Sequence, residues 1–158
     1  MVKTIAMASN PLDQPYRGGF VGAEHRFALT VYFEDTDTAG IVYYANYLKY
    51  MERARSDMLR AAGIDQAAAL AAGTGVYAVA EATIKYLKPA RLGDDLQLVS
   101  TLDHVRAASV DIHQTVMRRG QPLAKARITA AFLTPEGRPT RQPRAWVDRF
   151  NAIMTQGN

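Results

Sequence analysis

The chain has 158 residues, 48% of them hydrophobic and 22% charged, with a formal net charge of +4. That is the size of one domain able to bury a core of its own, and the balance excludes wholesale disorder. The absence of cysteine excludes disulfides, thiol nucleophiles and thiolate metal sites, and it fits a cytoplasmic location.

Residues 1–25 combine Asn10-Pro11, Gln14-Pro15 and Gly18-Gly19 with no apolar period, which predicts an irregular arm. Met1 to Asn10 lacks the apolar core of a signal peptide, and no run has the length of a membrane span, so a soluble, unexported protein is expected. Phe27 to Phe33 is β-branched and aromatic enough for a strand. Asp35 and Asp37 close that run, and Gly40 frees the backbone to turn.

From Tyr47 the apolar residues Tyr47, Tyr50, Met51, Ala54, Met58, Leu59 and Ala62 recur at helical spacing, with Lys49, Glu52, Arg53, Arg55, Asp57 and Arg60 on the other face. Asn46 is the predicted N-cap and Gly63 the C-terminal cap, for a helix of about 25 Å. Tyr47 and Tyr50 are expected to pack this helix onto a sheet, and Glu52 to pair with Arg55 or Ser56 in solvent. Gln66 to Ala72 predicts a short helical turn that breaks at Gly73-Thr74-Gly75.

Four strand patterns follow: Val76 to Leu87, Asp95 to Val105, Ser109 to Arg118, and Leu123 to Thr134. The joins between the last three are short, which implies antiparallel neighbours. A brief helix is expected after Pro143, within Gln142 to Met154. One long helix followed by a multi-strand antiparallel sheet is α+β. The expected division is an irregular arm (1–25), one domain (26–150) and a tail (151–158).

Asp37 is the leading catalytic candidate. A helix starting just beyond it presents backbone N–H groups, Tyr44 N–H among them, that can stabilise an oxyanion opposite an ionised carboxylate. An aspartate at a strand end equally suits an Asx turn, and the sequence leaves both roles open. Asp35 is read as a structural partner, because two adjacent carboxylates repel. A calcium loop would match Asp35, Asp37 and Gly40 but fails at Ala39 and at Asn46, where a glutamate ligand is required. An aspartyl-phosphate phosphatase needs a parallel α/β sheet that the later strands do not offer.

His25, His104 and His113 have no metal-ligand spacing, and no metal is expected. Nucleophile-elbow, phosphate-loop and dinucleotide motifs are absent. Arginines crowd the C-terminal third, while the aromatics cluster near Tyr43 to Tyr50. That separation favours a phosphate-bearing small molecule over a nucleic acid.

Val31-Tyr-Phe-Glu-Asp-Thr-Asp37-Thr-Ala-Gly40-Ile-Val-Tyr-Tyr44-Ala-Asn46-Tyr47, followed by Met51-Glu52-Arg53-Ala54-Arg55, resembles the hotdog-fold acyl-CoA thioesterases of the 4-hydroxybenzoyl-CoA thioesterase type. The likeness is closer to their bacterial Tol-Pal-associated branch. It is dense over residues 27–64 and looser from Lys88-Pro89-Ala90-Arg91-Leu92-Gly93-Asp94-Asp95 onward. The resemblance implies a five-stranded antiparallel sheet around the helix. It also implies sheets joined edge to edge in a homodimer, active sites at the dimer interface, and tetramers as dimers of dimers.

On the same resemblance, Asp37 falls on the catalytic aspartate and Tyr44 on the residue whose N–H polarises the thioester carbonyl. Tyr44 stands where the Tol-Pal-associated branch usually carries histidine. Arg106 aligns with a region that binds the coenzyme A phosphates in relatives. Gly40, Lys88 and Arg91 complete the expected substrate-binding set. No cofactor is implied beyond coenzyme A as part of the substrate. The implied activity is thioester hydrolysis, with Asp37 as general base or nucleophile. The alternative is a non-catalytic basic dimer that binds acyl carrier protein or another anionic partner.

Overall fold

In the computed structural model, which describes residues 9–157, the four strands expected after residue 75 form close to their expected limits: β3 (Val76–Tyr86), β4 (Asp95–Val105), β5 (Ser109–Arg118) and β6 (Gln121–Leu133). Two more strands precede them, β1 (Gly19–Val21) and β2 (Glu24–Thr30). All pair antiparallel in one six-stranded sheet of order β1-β2-β4-β5-β6-β3. The fold is α+β of the hotdog type, with six strands where five were expected.

The extra strand corrects the reading of residues 1–25 as irregular. Gly19 to Val21 pairs with Glu24 to Arg26 around Gly22, whose φ of 61° lies in the left-handed region. A short 3₁₀ turn, Pro11–Asp13, lies earlier in the arm, and residues 1–8 fall outside the described part. β2 also starts and stops three residues before the expected strand. It stops because Tyr32 N–H donates to the Asp35 carboxylate at 2.9 Å, which turns Phe33–Asp35 into a 3₁₀ turn.

The long helix α1 (Asn46–Ala61) packs on one face of the sheet through Tyr47, Tyr50, Met51, Ala54 and Met58. It ends as the sequence implies: Gly63 adopts φ 82° and Ile64 N–H bonds back to Leu59 O. The short α2 (Gln66–Ala71) follows. A third helix, α3 (Arg144–Thr155), covers the far end of the core with Phe150 and Ile153, so the domain limit placed at residue 150 falls inside a helix.

The core has two parts. One is built on Val31, Tyr47, Tyr50, Met51, Leu96, Leu98 and Val116, and the other on Met58, Leu59, Leu102, Val110, Ile112 and Phe150. A polar bar runs between them: Arg55 donates to Gln114 Oε1 (2.8 Å), and Gln114 donates to Ser100 Oγ and to Met51 O (3.0 Å each). Burying a guanidinium is tolerable only because each of these groups has a partner.

A second buried pair fastens the arm. His25, fully enclosed, donates Nε2–H to Asp57 Oδ2 at 2.8 Å, and the same carboxylate takes Gly18 N–H and the Arg60 guanidinium. A side chain at position 18 would strike Arg26 O at 2.1 Å, so only glycine fits there. Burial holds the His25 pKa below its ordinary 6.5, against the opposing pull of Asp57, and His25 Nδ1 is buried without a partner among the described residues. Below pH 6.5 the unfolded chain binds a proton that the folded one refuses, so stability falls as pH drops from 6.5 toward the lowered folded value. The melting temperature should therefore be lower at pH 5.5 than at pH 7.5. The drop should shrink in His25→Gln, and an identical drop in that variant would assign it to other groups.

Candidate functional site

The segment from Asp35 to Tyr43 folds back on itself as a small antiparallel ladder. Thr36 bridges Val42, Asp37 N–H bonds to Ile41 O (2.9 Å), and Tyr43 N–H bonds to Asp35 O (3.0 Å). Asp37 opens the turn at its tip: Gly40 N–H donates to Asp37 O, and Ala39 N–H donates to Asp37 Oδ1 at 2.8 Å. Gly40 sits at φ 74°, a left-handed position that glycine occupies without strain. Asp37 is thus half-buried in an Asx turn, one oxygen engaged and Oδ2 without a partner among the described residues.

The ladder delivers the chain directly into α1. Asn46 is not the N-cap. It is the first helical residue, and its Nδ2 donates to Asp35 O at 2.8 Å, so the helix start and the aspartate loop hang on one carbonyl. The Tyr44 and Ala45 N–H groups have no acceptor among the described residues. Tyr44 O accepts the Tyr86 hydroxyl (2.9 Å), the Tyr86 ring packs edge to face with Tyr44 and Tyr47, and Tyr43 lies tilted against Tyr44 at the helix start. Behind it, Tyr50 OH is buried with no close hydrogen-bond partner among the described residues, and burial, with the nearby Asp35 carboxylate adding to it, raises its pKa.

Lys88 and Arg91 belong to this end of the molecule. Ile41 bridges Arg91, and Val42 N–H bonds to Ala90 O at 2.8 Å. Neither side chain is in an ion pair among the described residues. The loop is fixed by Asp94, which takes Arg91 N–H (2.8 Å) and Arg118 (2.6 Å). Burial alone would raise the Asp94 pKa, but these donors bring it below the usual range. Sequence reading missed this clamp, because Asp94 and Arg118 are 24 residues apart.

Arg106 is not brought to the same place. It follows β4, whose 11 residues begin beside Asp94, so roughly 33 Å of strand separates the two ends within one chain. Its guanidinium donates to Asp111 at 2.8 Å, which with Thr129 holds the Asp111 carboxyl down to about 2. It lines a polar depression on the sheet with Glu81, Thr83, Ser109 and Arg127.

Asp37 and Tyr44 line none of five cavities found among the described residues. An apolar groove starts one turn into the helix, between Leu48, Val79, Ala82 and Ile128. No three histidine, aspartate or glutamate side chains are grouped as a metal site among the described residues, and no described helix is long and apolar enough to cross a membrane.

Residues 31–150 match the model of the thioesterase-like superfamily. The chain belongs to that superfamily, and with this fold it is a hotdog thioesterase. Among relatives, it is 32% identical over 127 residues to the acyl-CoA thioester hydrolase YbgC of Escherichia coli, an alignment covering 79% of this chain and 94% of that one. It is 30% identical to the 1,4-dihydroxy-2-naphthoyl-CoA hydrolase of Acaryochloris marina, over 82% of this chain and 99% of the relative. Among solved structures, a Thermus thermophilus thioesterase complexed with coenzyme A and Zn superposes with a TM-score of 0.70 at 28% identity, covering 82% of this chain and 94% of that one.

Proposed function

We propose that this protein hydrolyses acyl-CoA thioesters to the free acid and coenzyme A, with Asp37 as the reacting carboxylate and the Tyr44 N–H as the oxyanion donor. The observation that carries the reading is the joint between loop and helix. Asp35 O ties Tyr43 N–H and Asn46 Nδ2 together while the next two N–H groups, of Tyr44 and Ala45, stay without acceptors. Asp37 lies about 10 Å back along the ladder, counted as three residues of extended chain.

The helix N-terminus draws charge onto the carbonyl oxygen, and two routes share that step. In one, Asp37 takes a proton from water as the water oxygen bonds to the acyl carbon. In the other, Asp37 Oδ2 bonds to the acyl carbon, and water then hydrolyses the anhydride. Both break the C–S bond and release coenzyme A as the thiolate. The space beside Gly40 is open, with nothing within 4 Å of a Cβ built there, and glycine is called for by its φ of 74°. Lys88 and Arg91, without ion-pair partners, suit the phosphates.

A second copy completes this reading. β3 is an edge strand of 11 residues whose outer side is unpaired in the single chain, with Val79 and Tyr86 exposed. A long, exposed apolar edge calls for a partner strand. We place the homodimer there, covering the groove beside α1 and bringing the partner's surface to the open Asp37 loop. Arg106, remote within its own chain, then serves a phosphate only across that interface.

The test is a panel of short, medium, long and aromatic acyl-CoA esters assayed for free thiol. Turnover of at least one class at an ordinary enzymatic rate, above about 1 s⁻¹, is expected. A panel with no thiol release would overturn the reading.

A further inference from the structure

A cavity of about 80 Å³ lies beneath the C-terminal half of α1, walled by Met58, Leu59, Ile112, Ala130 and Phe150. It lies in the second half of the core, away from Asp37. The groove between Leu48 and Ala82 leads toward it, and the two spaces share Glu52, Arg55 and Val79. Groove and cavity therefore adjoin along α1 at one crossing, with Lys49 and Arg53 also lining the groove and Ser56 and Gln66 the cavity.

That crossing is the Glu52–Arg55 ion pair. Its two members differ: the Arg55 side chain is 8% exposed and anchored inward by Gln114, whereas the Glu52 side chain is 61% exposed and held by Arg55 and Ser56. Glu52 is the member free to move aside. Arg55, fixed from within, narrows the crossing, so that a branched group meets it at a cost while a slim alkyl chain passes along its apolar stem.

We propose that this cavity takes the methyl end of a straight-chain acyl group of medium length, entering past Glu52 and Arg55. The inference rests on the thioesterase reading above and adds the substrate class. An apolar cavity of ~150 Å³ holds benzene, so this one has room for roughly three methylene-sized groups. Along α1, Asn46 to Glu52 is about 9 Å and Asn46 to Ser56 about 15 Å. An extended chain covers about 3.6 Å per three bonds, so ~8 bonds reach the ion pair and ~12 end in the cavity. Acyl groups of about 8–12 carbons match that path, while a butyryl group stops short of it.

The measurement is the ratio of kcat/KM on decanoyl-CoA to that on butyryl-CoA. Filling the cavity by Ala130→Leu should lower this ratio at least tenfold. Ile112→Val, which enlarges the cavity, should raise the ratio of dodecanoyl-CoA to decanoyl-CoA and covers the case of a poorly folded Ala130→Leu. Ratios unchanged in both variants overturn the proposal. If the wild-type protein cleaves neither ester, the cavity is tested with decanoate, and the thioesterase reading itself falls only if the whole acyl-CoA panel releases no thiol. Trp146, the one tryptophan, packs 6.0 Å from Tyr77, which lines the cavity. Decanoate should change its emission saturably in the wild type and not in Ala130→Leu. No change in the wild type overturns the proposal.

Discussion

Asp37→Asn should cut kcat by about 10²- to 10⁴-fold, the range that a lost general base or nucleophile produces, and leave the fold untouched. The substitution separates two jobs that one side chain performs. As the turn residue, Asp37 accepts Ala39 N–H through Oδ1, and an asparagine carbonyl accepts the same bond. The ladder from Thr36 to Val42 and the left-handed Gly40 need nothing from the charge. What asparagine cannot supply is a negative, basic oxygen at the position of Oδ2. The melting temperature should therefore stay within about 1 °C of wild type while thiol release collapses. Near-normal hydrolysis by a folded Asp37→Asn protein would reduce the aspartate to an Asx turn and move the chemistry elsewhere.

The turn and the carboxylate were legible together because both are local. A strand end, two acidic residues, a glycine and a helix start lie within a dozen positions, and each acts through backbone geometry that its own residue type dictates. For the same reason β3 to β6 appear close to where alternation and turn residues put them, and Gly63 caps α1 as its position predicts. The failures are non-local. His25 belongs to a strand only because Asp57, 32 residues away, accepts its proton inside the core, and nothing in Glu24-His25-Arg26 advertises burial. Asn46 has the composition of an N-cap, yet its amide is drawn to Asp35 O, across the ladder. Arg106 lies apart from Asp37 because the 11 residues of β4 carry it to the other end of the sheet, a separation that leaves its proposed phosphate role to a second copy. Strand order is equally hidden: β3 lies beside β6 rather than β4, and that choice exposes the edge on which the proposed dimer depends.

The bar of Arg55, Gln114 and Ser100 is the other feature that no window of sequence reveals, and it carries the largest expected effect on stability. Gln114→Leu should destabilise the fold by about 2–3 kcal/mol, the cost of leaving a buried guanidinium and two buried oxygens each one partner short. The leucine removes the acceptor for Arg55 Nη1 and the donor to Ser100 Oγ and Met51 O in one step. At roughly 2–4 °C per kcal/mol for a chain of this size, the melting temperature should fall by about 4–12 °C at fixed protein concentration. The loss arises from buried polar groups left without a partner, with only Glu52 still holding Arg55, rather than from the mean worth of the bonds, since bonds inside a folded protein replace bonds to water. Arg55→Met combined with Gln114→Leu should then recover at least half of it, because no buried charge remains and the two core halves can merge. Differential scanning of the single and double variants decides the point. If the double variant melts as low as the single, the bar is a net source of stability. If it recovers, the bar persists for another reason, and its contact with Glu52 at the mouth of the cavity is where that reason should be sought.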